Sequence, residues 1–248
     1  MDNLFYIIVP VYNADKYILK CLESVNNQYR NYKVIIVNDC STDSTRIIVE
    51  NFIKDKSQFQ LITNKVRNGS GLFSINKGIE NINESDKDKA IIITLDGDDF
   101  LANSSVLNYL NEVYQNELIW MTYGNMEASN KQWSGILKEV VDPKTYRKTF
   151  QQWDLSHLRS FKYKLWDKIN KVDLLDDKGE WYKLAWDVAF MLPMIEMAGK
   201  EHSKFINEIL YTYNNENQLS DFILKPKEQV DTANLIKQKQ SYDLLRSL

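Results

Sequence analysis

The stretch Ala90-Ile91-Ile92-Ile93-Thr94-Leu95 is apolar at all but one position and runs straight into Asp96-Gly97-Asp98-Asp99. It falls far short of the ~20 residues of a membrane span, and its lack of alternation argues against a strand with one wet face. What remains is a strand covered on both faces, the setting of a central strand in a parallel sheet. Parallel neighbours cannot be joined by tight hairpins, so such a strand demands crossovers before and after it. The chain provides them. Residues 5–9 form a β-rich run ended by Pro10, and Ile18, Leu22 and Val25 follow at helical spacing. Residues 33–37 predict a second strand, followed by a helix bearing Ile48 and Phe52, with Ser41, Thr42 or Asp43 as its cap. Residues 59–62 predict a third strand and residues 118–123 a later one. Leu72, Ile75, Ile79 and Ile82 mark one helix between them, and Val106, Leu110 and Val113 another. The expected fold class is α/β, a Rossmann-like, mostly parallel central sheet flanked by helices. Its ligand edge lies at the carboxyl ends of the strands, where the polar residues after Val9, Val37 and Leu95 converge.

Composition narrows the function classes. Thirty-one Lys and Arg against 34 Asp and Glu leave a formal charge of -3, which disfavours a nucleic-acid binder. Cys21 and Cys40 alone cannot make a disulfide scaffold and fit a reducing compartment. His157 and His202 are too few for a His-rich metal centre. No apolar run reaches membrane-span length and the first residues carry no basic lead, so the expected location is cytoplasmic. Gly69-Ser70-Gly71 lacks the third glycine of a dinucleotide fingerprint, and no P-loop motif is present.

Three carboxylates within four residues repel one another unless a cation neutralises them. Hard oxygen donors favour Mg²⁺ or Mn²⁺ shared with a substrate phosphate, and Gly97 lets backbone approach a ligand. The plainer alternative is a charged loop whose aspartates cap the next helix. Two further blocks precede this one, Ile8-Val9-Pro10-Val11-Tyr12-Asn13 and Val37-Asn38-Asp39-Cys40-Ser41-Thr42-Asp43-Ser44-Thr45. With Leu95-Asp96-Gly97-Asp98-Asp99 they resemble, in order, the family 2 glycosyltransferases of GT-A fold. The family's second block reads V-D-D-G-S-T-D-x-T, so Asp39 and Asp43 match while Asn38 and Cys40 depart. Asn76-Lys77-Gly78-Ile79 is similar to the family's N-x-G segment, although Leu72-Phe73-Ser74-Ile75 replaces the small residues before it.

The resemblance implies a metal-dependent, inverting transferase with Mn²⁺ or Mg²⁺ as cofactor. It would move a sugar from a UDP-sugar to a hydroxyl of a glycan, protein or small-molecule acceptor. The implied donor site comprises Pro10, Val11, Tyr12, Asn13, Asp39, Asn76, Asp96, Gly97 and Asp98. Within it Asp39 accepts from the uracil N3–H, Tyr12 lies against the base, Asp96 contacts the ribose or the sugar, and Asp98 binds the cation. The family's base is commonly the Asp of an E-D pair at a helix start. Trp186-Asp187 begins a stripe of Val188, Met191, Leu192 and Ile195 that Gly199 would end, so Asp187 is the implied general base. Trp186 would then be a wall for a sugar ring. The alternative for Asp187 is a favourable charge at a helix N-terminus, worth ~0.3–1 kcal/mol.

Residues 156–166 mix bases with aromatics and read as an active-site loop in which Arg159 and Lys162 pair with the diphosphate, or as a solvated amphipathic segment. His157 is expected to be packed. Residues 211–218 lack the late His with which many relatives complete their metal shell, which leaves Asn217 or Glu216 as candidates and His202 as structural. The whole chain reads as one domain, with a nucleotide-sugar half (1–125), an aromatic acceptor-side half (126–225) and a C-terminal helix (226–248). A phosphatase of the haloacid-dehalogenase type and a non-catalytic nucleotide-sugar-binding protein are the rival readings.

Overall fold

A computed structural model describes residues 2–28, 31–217 and 224–248. The first half alternates as the sequence predicts. Strands β1 (Leu4–Val11), β2 (Tyr32–Asn38), β3 (Phe59–Thr63) and β4 (Ala90–Thr94) alternate with helices α1 (Ile18–Asn26), α2 (Thr45–Ile53) and α3 (Gly71–Glu80). They pair in parallel, with β1 between β2 and β4 and β3 outside β2. The unbroken apolar runs follow from that position. On β1, Tyr6 and Ile8 enter one core while Phe5, Ile7 and Val9 enter the other, and on β4 Ile92 divides from Ile91 and Ile93 in the same way.

Beyond β4 the sheet becomes mixed. β5 (Phe100–Leu101), α4 (Val106–Val113), β6 (Met121–Ala128) and α5 (Pro143–Thr149) lead to β7 (Arg159–Lys162) and α6 (Tyr163–Asp167). Then come α7 (Trp186–His202), β8 (Ser203–Tyr213) and α8 (Pro226–Lys237). The strand order among the described residues is β3-β2-β1-β4-β7-β6-β8-β5, with β7 antiparallel to both β4 and β6. Gly199, at φ 60 and ψ -169, interrupts the end of α7 where the sequence places a stop.

Four local expectations need correction. The segment 156–166 is neither loop nor solvated face, because Arg159, Ser160 and Phe161 are buried in β7. The later strand begins at Met121 rather than residue 118, since the Trp120 amide is taken by the His202 carbonyl outside the ladder. Ser44 occupies the N-cap position of α2, while Asp43 accepts from the Thr45 amide at 3.0 Å. The terminal helix stops at Lys237, and residues 238–248 lie along α7 through Tyr242 and Leu245. No described helix is long and apolar enough to cross a membrane.

Candidate active site

Register brings the strand exits together. Val11 pairs with Asn38, Ile8 with Thr94, and Thr94 with Arg159, so the segments after β1, β2 and β4 meet the start of β7 at one edge. The first two exits are stitched to each other. The Asp39 amide donates to the Val11 carbonyl at 2.9 Å, the Asn13 amide to Ser41 Oγ at 3.0 Å, and the Thr42 amide to Asn13 Oδ1 at 2.8 Å. Asn13 sits at φ 46, a conformation asparagine tolerates better than most residues. The Gly97 amide reaches the Pro10 carbonyl at 3.1 Å, and a Cβ on Gly97 would lie 2.8 Å from Val11. That close approach requires glycine and ties the third exit to the first.

Asp39 has three partners of its own. Oδ1 accepts from Asn64 Nδ2 at 2.7 Å and the Asn68 amide at 3.0 Å, and Oδ2 from the Gly69 amide at 2.7 Å. A carboxylate offers about four acceptor positions, so room for one more donor remains. Tyr12, 36% exposed, carries the Arg67 guanidinium 3.8 Å from its ring centroid, a cover that sequence reasoning did not anticipate.

The carboxylates after β4 are divided by their partners. Asp99 is buried, with Oδ2 accepting from the Tyr211 hydroxyl at 2.5 Å and Oδ1 from the Asn214 amide at 2.7 Å. Burial, then Asp98 and Asp96, push its carboxyl far above the usual range. Asp98 accepts from Asn217 Nδ2 at 2.7 Å, and burial raises it too. Asp96 is pushed up to about 7 by burial, with Arg159 opposing and Asp98 and Asp187 adding to the shift. His157 is buried against the Tyr211 ring at 4.1 Å, with Nε2 3.9 Å from Asp96 Oδ2, and burial followed by Arg159 holds it neutral.

One ligand atom each from Asp96, Asp99 and His157 lie within 4.8 Å of one another. Two carboxylates and a neutral imidazole form a donor set that Mn²⁺ or Mg²⁺ accepts. The buried His157 Nδ1 and Asn214 Nδ2 have no partner among the described residues. Crowded, under-compensated carboxylates of this kind fit a divalent cation. The sequence pointed to Asp98 for this role, with Asn217 or Glu216 as further candidates, and Asn217 instead donates to Asp98.

Asp187 lies on the other side of Arg159. Ala185, at φ 45 and ψ 29, turns the chain into α7 and places Asp187 in its first turn. Asp187 Oδ2 accepts from Arg159 Nη2 at 2.7 Å and from Trp153 Nε1 at 2.8 Å. Trp153 was invisible as a site residue, because a lone indole 34 positions away gives no pattern. Trp186 packs on Gly71, where a Cβ would come within 2.9 Å of the indole, and stacks on Phe190 at 6.2 Å.

Two expected site residues are elsewhere. Lys162 pairs opposite Ile91 and donates to the Glu117 carbonyl at 2.7 Å. Three residues of strand put it ~10 Å from Arg159, towards the opposite edge of the sheet. Asn76 is buried on α3, where it lines a cavity of about 190 Å³ with Glu80, Lys87, Tyr163 and Lys171. Lys87 stands just before β4, so that cavity is at the entry end of the strand and not with the exit segments. The sequence alone did not show which way either side chain turned, Lys162 on a strand and Asn76 on a helix.

Glycosyl transferase family 2 matches residues 6–170, from within β1 to just past α6. The chain belongs to this family. An uncharacterized glycosyltransferase of Haemophilus influenzae is 38% identical over 127 residues, 49% of this chain and 46% of that protein. S. aureus TarS 1–349, in complex with UDP-GlcNAc, superposes with a TM-score of 0.68 at 19% identity, covering 94% of this chain and 65% of that one. The mannosyltransferase PcManGT of Pyrobaculum calidifontis, in complex with GDP-Man and Mn²⁺, gives 0.64 at 14% identity, covering 97% and 66%. The chain therefore spans about half of the Haemophilus relative and about two thirds of each solved chain. The structural likeness fixes the fold as GT-A. Family membership removes the haloacid-dehalogenase reading.

Proposed function

We propose that this chain transfers a sugar from a UDP-sugar to an acceptor hydroxyl with inversion at the anomeric carbon, using Asp187 as general base. The observation that carries the reading is the Asp187 carboxylate, fixed through Oδ2 by Arg159 and Trp153 while electrostatically coupled to Asp96. Neither bond engages Oδ1, the atom that takes the acceptor proton as the acceptor oxygen bonds to the anomeric carbon. The bond from that carbon to the diphosphate breaks, and UDP departs from the opposite face. One base suffices, because the leaving group is already a good one.

Arg159 enters as the cation that orients Asp187. Its buried Nη1 has no protein partner among the described residues and remains for an oxygen of the donor or acceptor. Asp39 accepts the uracil imide proton at its remaining position, and Tyr12, with Arg67, flanks the base. The UDP-GlcNAc held by TarS supports a uridine donor. Mn²⁺ or Mg²⁺ would be held by Asp98, with Asp96, Asp99 and His157 at hand, and would offset the negative charge growing on the diphosphate. Residues 1–125 carry the donor side and residues 126–225 supply the base and its support.

A panel of UDP-sugars, assayed for UDP release with Mn²⁺, with Mg²⁺ and with EDTA, tests this reading. Metal-stimulated release from at least one UDP-sugar, absent with GDP- and CDP-sugars, is expected. UDP binding without release from any donor would favour the non-catalytic reading.

A further inference from the structure

The segment that delivers Asp187 is pinned from two directions. On one side Ser70, which caps α3 by accepting from the Phe73 amide, donates its hydroxyl to the Tyr182 carbonyl at 2.6 Å. On the other side Gln229, on α8, accepts the Ala185 amide through Oε1 at 2.6 Å. Ala185 is the left-handed residue from which α7 starts, and its own carbonyl receives the Val188 amide at 3.0 Å. An alanine at φ 45 has no intrinsic preference for that conformation, so its amide partner decides whether the turn holds. Ala185 is 7% exposed, which leaves its amide little access to water in place of Gln229.

The helix bearing Gln229 is itself anchored. Arg147 binds Glu196 of α7 through two bonds of 2.6 and 2.7 Å and reaches the Ile236 carbonyl of α8 at 3.0 Å, so α8 is fixed to α7. Lys239, just beyond α8, is bonded to the carbonyls of Val172, Asp173 and Leu175.

We propose that Gln229 is a positioning residue: by holding the Ala185 amide it sets the start of α7 and thereby the placement of Asp187. This rests on the reading of Asp187 as the general base. Gln229→Met keeps length and volume but removes the acceptor, whereas Gln229→Glu retains an oxygen for the amide. Gln229→Ser, too short to reach, replaces Met should that variant fail to fold.

Two readouts are taken on the full chain. In hydrogen–deuterium exchange, Gln229→Met should speed exchange across residues 182–188 by at least about tenfold, the factor that loss of a bond worth ~1.4 kcal/mol produces. With the UDP-sugar that the donor panel shows to be turned over, kcat should fall roughly tenfold to 100-fold at unchanged donor KM, the scale of a small misplacement of a catalytic group. Gln229→Glu should restore both. Parent-like exchange and kcat in Gln229→Met, or a Glu variant as impaired as Met, would overturn the proposal. Full turnover by Asp187→Asn would instead remove the base assignment, while the exchange readout would still report on the Gln229 bond.

Discussion

Asp187 and the carboxylates after β4 lie within electrostatic reach of each other, yet the protein treats them in opposite ways. Asp187 has a built-in cation, Arg159, and an indole donor, Trp153, on the same oxygen. Asp96, Asp98 and Asp99 are raised by burial. Asp99 accepts from a tyrosine hydroxyl and a backbone amide, and Asp98 from an asparagine amide. Asp96 has His157 3.9 Å away and the charge of Arg159 opposing its rise. On the proposed reading, a carboxylate that takes a proton in every cycle gains from a permanent orienter. The carboxylates proposed to receive a cation are left less compensated, since Arg159 acts on Asp96 only at a distance and is hydrogen-bonded to Asp187 instead. The contrast separates what the fold supplies from what must be brought to it.

The largest expected effect is on the first side of that contrast. Asp187→Asn keeps shape but cannot accept the proton, so transfer should drop ~10²–10⁴-fold while UDP affinity stays near the parent's by calorimetry. A parallel fall in UDP affinity would make Asp187 a binding residue.

Removing the built-in cation tests whether it matters to the fold. Arg147 and Glu196 form a fully buried pair, and Arg147→Met should cost about 3–5 kcal/mol in urea unfolding by stranding the glutamate. Arg159→Met strands Asp187, whose side chain is 18% exposed, and should cost less, about 1–3 kcal/mol. Equal losses would mean that solvent does nothing for Asp187.

On the other side of the contrast, Mn²⁺ should tighten UDP binding by at least about tenfold over EDTA, or ~1.4 kcal/mol, and Asp98→Ala should abolish the difference. An undiminished metal effect in that variant would move the metal to the Asp96, Asp99 and His157 group.

The effects on pH dependence have opposite signs. Asp96 is raised from 3.8 to about 7, so its contribution to stability is present below about pH 4 and lost as pH rises through 7. In EDTA, Asp96→Asn should therefore gain on the parent between pH 4 and 7, with no further gain above. Asp86 is held low by hydrogen bonds from Lys33 and Tyr6, so its contribution is present above the usual carboxylate range and lost in acid. The deficit of Asp86→Asn should shrink below pH 4. Unfolding midpoints across pH 2.5–8 read both, and parallel curves would contradict the contrast.

The gathering of the strand exits at one edge was legible in the sequence. Val9, Val37 and Leu95 each end an apolar run before polar residues, and parallel pairing puts such exits on one edge whatever the helices between them contain. Asp39, Asp96 and Asp98 could be named because they stand next to strands that announce themselves. Arg159 could be named as a diphosphate partner or as part of a solvated face, but nothing in the sequence showed that it lies buried on a four-residue strand with Asp187 as its partner. Trp153, Tyr211 and Asn214 could not be found at all. Each acts on a carboxylate far away in sequence, Trp153 by 34 residues, Tyr211 by 112 and Asn214 by 115.

The sequence by itself determined the alternation of β1 to β4 with α1 to α3, the burial of β4 on both faces, and the Asp-rich exit that follows it. Those are local matters, set by periodicity and by the need to cover both faces of a strand. Only the tertiary structure decided that β7 enters antiparallel between β4 and β6. That insertion carries Arg159 to the strand exits, turns Lys162 away and gives Asp187 its cation. The physical reason is that an ion pair or a hydrogen bond depends on distance in space, and β7's neighbours are chosen by packing among elements far apart along the chain.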